Sequence, residues 1–325
     1  MSLLITTYNV LKYEQSNFLP VFGRLKKNII LNKISIKIYE NEIISLIGES
    51  GYGKTLFAKV LTGLVDLDGG KIFYKDKEIK NFSQKDLRKK LQMVFQNPQE
   101  TLNLKMTAYQ LIEEPLIFYK VSDKNLSYDK KIRELAKELF FPLNNLHTQA
   151  EDLSLLDFKK IMLARVLAIE PEFIVIDDII SDLDEIGRNI IKNLILKIRN
   201  ERKISIMLIS NNLDILIEIS DRFVIMYQGN LIEVIPKNRS EYIKKKDTDK
   251  LKIHPYTALL FENIENYKNI EDYLKKIQTK RKGVAGRCVY LNRCNYVSDI
   301  CYKQKCVLKE IDDGHFVSCL KVEHS

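Results

Sequence analysis

No apolar run in the sequence is long enough to cross a bilayer, so any membrane association has to go through a partner. The opening residues Met1-Ser2-Leu3-Leu4-Ile5-Thr6-Thr7 carry no basic n-region, and their apolar stretch is too short for a signal peptide, which sets the expectation of a cytoplasmic chain. No cysteine precedes Cys288. A disulfide framework is therefore excluded for most of the chain, and the five late cysteines suggest metal or cluster chemistry, with reduced thiols packed in a small core as the alternative. Nor is any Lys/Arg block interleaved with aromatics. The 52 Lys and Arg against 43 Asp and Glu give a net charge of +9, but without that pattern the surplus reads as a solvated surface and no nucleic-acid partner is expected. No repeat of fixed period is visible.

What is present is organised around Gly48-Glu49-Ser50-Gly51-Tyr52-Gly53-Lys54-Thr55, set between the apolar run Ile43–Ile47 and a helical pattern over Lys54–Leu64. Strand, glycine-rich loop, Lys-Thr and helix in that order make a phosphate-binding loop: backbone N–H groups converge on phosphate oxygens at a helix N-terminus. Lys54 would reach the β- and γ-phosphates and Thr55 would hold Mg²⁺. Downstream, Phe173-Ile174-Val175-Ile176-Asp177-Asp178 is an apolar strand presenting carboxylates at its end, Asp177 for Mg²⁺ and Asp178 facing the attacking water.

Around these motifs the pattern predicts a strand over Ile29–Tyr39 with Ile34, Ile36 and Ile38 on one face, a turn at Asp68-Gly69-Gly70 and a strand Lys71–Tyr74. A Ser83-capped helix Gln84–Lys90 leads to strand Leu91–Phe95. Thr107 to Phe141 reads as a helical insertion, with Leu111, Ile112, Leu116 and Ile117 on one face and Leu135, Leu139 and Phe140 marking a second helix. Ser154 starts a helix to about Ala168; helix Glu185–Arg199, strand Ile204–Ile209, helix Asn212–Ile219 and a hairpin turning at Gly229-Asn230 complete a β/α series. A charged linker containing Lys244-Lys245-Lys246-Asp247 then precedes a smaller region. At 325 residues, one large domain plus an appendage is the default.

The order of motifs resembles the ATP-binding cassette (ABC) family, specifically the ATPase subunits of oligopeptide and dipeptide importers. Gly48–Thr55 resembles that subfamily's GESGCGKS, and Gln92-Met93-Val94-Phe95-Gln96-Asn97-Pro98 with Leu102-Asn103-Leu104-Lys105-Met106-Thr107 resembles QMVFQDP…LNPRMT. His254-Pro255-Tyr256-Thr257 with Leu259-Leu260 matches HPYT…LL, and Gly314-His315-Phe316-Val317-Ser318-Cys319 resembles the closing GH-x-V-x-C of the C-terminal extension. The resemblance implies an α/β fold: a P-loop (RecA-like) core with antiparallel β and helical subdomains over residues 1–235, the helical part at about 97–168, and an extension over 236–325 bearing the cysteines. It implies ATP and Mg²⁺ as ligands, Gln96 as the lid-loop glutamine at the Mg²⁺ site, and Tyr13 as the adenine-stacking aromatic. It also implies two integral-membrane permease subunits, an extracytoplasmic peptide-binding protein and a place on the cytoplasmic face of the membrane. Cys288, Cys294, Cys301 and Cys319 resemble the family's cysteine set, some members of which carry an iron–sulfur cluster; a [4Fe–4S] cluster or Zn²⁺ suits four thiolates.

Three departures bear on catalysis. The LSGGQ signature is here Leu153-Ser154-Leu155-Leu156-Asp157, with bulk where backbone should approach a nucleotide, leaving Ser154 a helix cap or a weakened ligand. Asp178 stands where the family has Glu, and a carboxylate withdrawn by roughly an ångström can cost roughly a hundredfold in rate. Ser210-Asn211-Asn212-Leu213 replaces a THDL-like switch, so Asn211 can hydrogen-bond but cannot carry positive charge. Asp184 keeps the acid of the interface loop. These residues predict a subunit that couples ATP binding, with slow hydrolysis, to peptide uptake beside a paralogous ATPase. A non-hydrolysing structural or regulatory partner of an intact paralogue, and an importer of nickel or another small solute, are the alternatives.

Overall fold

The computed structural model describes residues 2–14, 28–97, 99, 102–121, 127–239, 252–262 and 287–323. Pro98 and the charged run Lys244–Asp247 lie outside the described residues. Five strands, β4 (Ile43–Ile47), β7 (Leu91–Val94), β8 (Phe173–Asp177), β9 (Ser205–Ile209) and β10 (Arg222–Tyr227), run parallel in the order β10-β4-β9-β8-β7. Every residue of β4, β8 and β9 is buried, because both faces are covered. Alternate side chains feed two cores: Ile43, Ile47, Ile174, Ile176, Ile206 and Leu208 enter one, while Ile44, Leu46, Phe173, Val175, Met207 and Ile209 enter the other.

The second core is roofed by an antiparallel sheet in which β1 (Leu3–Tyr13) pairs with β2 (Ile29–Ile34), β3 (Lys37–Tyr39) and β5 (Gly69–Tyr74), with β6 (Lys77–Glu78) at the edge. Helix α1 (Lys54–Leu61) packs beneath it. After α2 (Gln84–Lys90), capped by Ser83 as expected, the first core receives α3 (Ala108–Phe118), α4 (Tyr128–Glu138) and α5 (Leu155–Leu167). Thr107 opens α3 with a capping box, its side chain accepting from Gln110 N while the Gln110 side chain accepts from Thr107 N. Helices α6 (Glu185–Arg202) and α7 (Leu213–Ile219) cover the same face.

Beyond β10 the chain turns through Gly229 into β11 (Asn230–Pro236), antiparallel to β10. Much later come α8 (Pro255–Glu262), α9 (Asp299–Lys303), β12 (Lys309–Asp312), β13 (His315–Val317) and α10 (Leu320–Glu323). Strand β13 pairs with β11, so the C-terminal hairpin lengthens the core sheet. The join is made by a buried polar set. Glu233 on β11 accepts from His254 N at 3.1 Å and pairs with His315 Nε2 at 2.8 Å, and Tyr256 N donates to His254 Nδ1 at 3.1 Å. Glu233 and His315 have no exposed surface, so each satisfies a partner that water cannot reach.

Four expectations are corrected. Ile29–Tyr39 is two strands, broken at Ser35 and Ile36, where side chains enter the pairing with β1: Ser35 Oγ accepts from Asn9 N at 2.8 Å and Thr7 Oγ1 accepts from Ile36 N at 2.9 Å, although Ile34, Ile36 and Ile38 are all buried. Helix α1 stops at Leu61 and not Leu64, with Gly63 in the left-handed region at φ 69°. Asp68-Gly69-Gly70 is no turn: β5 begins at Gly69, and the Asp68 carboxylate accepts from Tyr13 N at 2.8 Å. Ile117 and Phe140 are 55% and 67% exposed. Ile117 sits about 100° around the helix from Leu116, off the buried stripe; Phe140, at φ 52° past the end of α4, turns outward beneath the Lys197 ammonium.

Candidate nucleotide site

Because β4, β9, β8 and β7 are parallel neighbours, their carboxyl ends open on the same side, where open α/β sheets place ligands. β4 delivers the loop Gly48–Thr55, β9 delivers Ser210 and Asn211, β8 delivers Asp177 and Asp178, and β7 delivers Gln96. A cavity of about 390 Å³ is lined by Ser50, Gly51, Gly53, Lys54, Thr55, Gln96, Asp177, Asp178, Ser210 and Asn211. Residues separated by more than a hundred positions thus meet at one place.

The loop's glycines have geometric reasons. A Cβ on Gly48 would lie 2.3 Å from the Met226 carbonyl oxygen, closer than any side chain allows, and Gly53 enters α1 at φ 90°. Lys54 donates to the carbonyls of Gly48 at 2.6 Å and Glu49 at 2.9 Å. The Asp177 carboxyl is pushed above its usual range by burial, against which a hydrogen bond from Thr55 pulls down. Its Oδ2 is buried without a hydrogen-bond partner. A hydroxyl beside an unpartnered carboxylate oxygen is a donor set that a hard divalent cation takes, so Thr55 and Asp177 fit Mg²⁺.

Asp178 sits differently. At φ 47° it occupies the left-handed region, its N–H donating to Ile209 O at 2.7 Å. Oδ1 accepts from Ser210 Oγ at 3.1 Å and Oδ2 from Gln96 Nε2 at 3.3 Å, so both oxygens are engaged. Burial raises this carboxyl too, with the Ser210 bond opposing. Tyr13 and Ser154 are not brought to the cavity lining: Tyr13 ends β1 beside Asp68, and Ser154 caps α5 by accepting from Asp157 N at 3.1 Å. Leu155 and Leu156 pack as half-buried side chains against the first core, and Lys160 pairs with Asp157 at 3.2 Å. Asp184 caps α6, accepting from Gly187 N at 2.7 Å.

The family model described as ABC transporter matches residues 31–181. The oligopeptide transport ATP-binding protein OppF of Haemophilus influenzae is 31% identical over 299 residues, spanning 89% of this chain and 87% of that one. The chain belongs to this family. OppF of Streptococcus mutans is likewise 31% identical, over 77% of this chain and 80% of its own. Among solved structures, a post-hydrolysis ATP-binding cassette dimer bound to ADP and Pi superposes with TM-score 0.63 at 22% identity, over 72% of this chain and 99% of its own. The cbiO1 subunit of a cbiONQ ABC transporter complex from Clostridium perfringens gives 0.64 at 21%, over 81% and 100%. These likenesses establish the cassette fold, and family membership implies ATP with Mg²⁺. Among the described residues no helix is long and apolar enough to cross a membrane.

Within this ABC subunit, sequence reasoning missed three residues. Ser210 was visible at the switch position but was given no role; it fastens Asp178. Glu233 carried no local signal, because its partners lie 21 and 82 positions away. Arg293 likewise carried none: it pairs with Glu49 of the phosphate loop at 2.7 Å.

All five cysteines and His254 line one cavity of about 20 Å³. That volume admits a single water-sized occupant, far less than four irons with four sulfides. Cys288 is pulled down to about 4 by hydrogen bonds from Cys306 and then His254, while Cys306 is pushed up by the same contact and Cys294 and Cys319 by burial. Among the described residues no group of three or more His, Cys, Asp or Glu is arranged to hold a metal ion. The cysteines converge as expected, but as placed they do not fit a [4Fe–4S] cluster or Zn²⁺.

Proposed function

We propose that this chain is the ATP-binding subunit of an oligopeptide or dipeptide importer, that it pairs with a paralogous ATPase, and that hydrolysis in its own composite site is slow. The observation that carries the last point is Asp178, whose short carboxylate is tied through both oxygens to Ser210 and Gln96. A base must reach the proton it removes, and these two hydrogen bonds hold the short side chain in place, so swinging it out towards a distant water would strain or break them.

In this reading the Gly48–Thr55 amides and Lys54 bind the phosphates, and Thr55 and Asp177 would hold Mg²⁺, with Gln96 sensing the site. The metal ion supplies charge neutralisation when bound. Asn211 orients by hydrogen bonding without adding positive charge, and Leu155 and Leu156 weaken the surface offered to the partner's nucleotide. A groove of about 300 Å³ between β7 and the helical part, lined by Phe95, Leu102, Pro115, Tyr119 and Met162, supports docking of one of two membrane permease subunits. We place the cassette at 1–235 and the extension at 236–325, on the cytoplasmic face of the membrane, with an extracytoplasmic protein delivering peptide. Metal on Cys288, Cys294, Cys301 and Cys319 belongs to this reading only in a rearranged state, since Cys288 now bonds Cys306 and Cys294 accepts from Tyr296 N. Iron and zinc content after anaerobic purification measures it.

A second reading, a subunit that binds but never hydrolyses, is favoured by the inward packing of Leu155 and Leu156. ATP turnover of the assembled importer with Asp178→Asn separates the two. Turnover that collapses while ATP binding persists assigns Asp178 as the base; unchanged turnover leaves the chemistry to the partner's site.

A further inference from the structure

The phosphate loop touches a part of the chain that no nucleotide-site motif includes. Residues 288–293 form a turn, Leu291 N donating to Cys288 O at 3.4 Å and Arg293 N to Tyr290 O at 3.0 Å, that projects Arg293 from the cysteine-bearing segment. Its Nη1 lies 2.7 Å from Glu49 Oε1 and 3.3 Å from Tyr52 Oη, and the two charged side chains are only 13% and 16% exposed. Glu49 is fixed at two further points: its amide donates to Tyr256 Oη at 3.2 Å, and its carbonyl accepts from Lys54 Nζ at 2.9 Å. Tyr227 stands at the centre of the cluster that aims these groups, with ring centroids 5.0 Å from Tyr52, 4.9 Å from Tyr256 and 5.1 Å from Tyr290. Burial raises Tyr52, Tyr256 and Tyr290 well above the usual phenol range, so they act as neutral hydroxyls.

We propose that Arg293 is a positioning residue for nucleotide binding: from the C-terminal extension it holds Glu49, and through Glu49 the phosphate loop, in the shape that receives ATP. Arg293 does not line the cavity and touches no reacting atom; it acts through the residue whose carbonyl receives Lys54. An extension more than 200 positions downstream thereby sets the affinity of a loop near the start, and any event that displaces the Cys288–Cys294 turn is felt at the phosphates. The inference rests on the reading of Gly48–Thr55 as the phosphate site.

The test is the affinity of the full chain for a fluorescent ATP analogue with Mg²⁺, read beside thermal melting. Arg293→Ala should weaken binding by about tenfold, a loss of about 1.4 kcal/mol. Glu49→Gln breaks the same pair with little change of shape and should match it, which covers the case in which Arg293→Ala does not fold. The double variant should bind no worse than the weaker single one, because both remove one interaction. Arg293→Lys should recover part of the affinity, since an ammonium can meet Glu49 Oε1 but cannot also keep the contacts of the guanidinium with Tyr52 Oη and the Tyr227 ring. Single-variant affinities within about twofold of wild type, or losses that multiply in the double variant, would overturn the proposal. A wild-type chain that fails to bind the analogue would instead overturn the phosphate-site reading beneath it.

Discussion

At the nucleotide cavity, Asp177, Asp178, Ser210 and Gln96 each sit at, or within two residues of, the end of a parallel strand. The C-terminal extension is fastened in another way: besides the β11–β13 pairing, single residues pair across 82 and 244 positions, Glu233 with His315 and Glu49 with Arg293. In the first region strand order does the assembly, so a short motif suffices to place each group. In the second, one member of each pair, Glu233 or Arg293, has no local mark although its partner sits in a motif, and each contact exists only because the whole sheet has formed. The cavity should therefore tolerate changes in rate without loss of fold, while the anchors of the extension should couple fold to function.

The hardest blow to the extension is Glu233→Ala. It strands the wholly buried His315 and removes the acceptor of His254 N, and breaking such a buried pair should cost about 3–5 kcal/mol in urea denaturation. A loss below about 1 kcal/mol would make the extension a mere appendage and dissolve the contrast. Next comes the cavity. Asp178→Glu combined with Asn211→His should raise ATP turnover of the assembled importer by about a hundredfold, with melting temperature little changed. No gain would mean that the signature loop, and not the base, limits the rate.

Ser154→Ala sharpens the comparison at the signature helix. As the α5 cap, Ser154 should contribute about 1 kcal/mol to the stability of the chain alone, measured by denaturation without partner or nucleotide. The smallest effect lies at the opposite end of β8. Burial pushes the Glu172 carboxyl up, but hydrogen bonds from Lys75, Tyr74 and Lys90 win and bring it to about 2. Because this value lies below the ordinary 4.5, its contribution is full above that pH and disappears as pH falls towards 2. The side chain is partly exposed, so solvent screening leaves at most about 1 kcal/mol. Glu172→Gln should lower the melting temperature at pH 7, converge with wild type near pH 2, and leave nucleotide affinity alone.

Most of the β/α series was legible because a strand buried on both faces must be apolar throughout, and β4, β8 and β9 are nearly so. Caps at Ser83, Thr107 and Ser154 were legible because the side chain bonds its own helix. Where other contacts decided the outcome, periodicity failed: side-chain hydrogen bonds at Ser35 and Ile36 split one predicted strand, and Phe140 at φ 52° faced outward despite its size. The cavity's residue types were readable, but the hydrogen bond from Ser210 that holds Asp178 was not, since a serine next to a switch residue has no period or charge to advertise it.

Pairing of β13 with β11 also places a constraint in time. Residues 315–317 leave the ribosome about 80 residues after β11 is complete, which at roughly 5–20 residues per second is about 4–16 s of synthesis. Throughout that interval the outer edge of the nascent sheet offers unpaired N–H and C=O groups to any extended chain nearby. A premature stop after residue 236 would make that exposure permanent, so a truncated chain carrying every nucleotide-binding motif should be prone to edge-to-edge association while the full chain is protected.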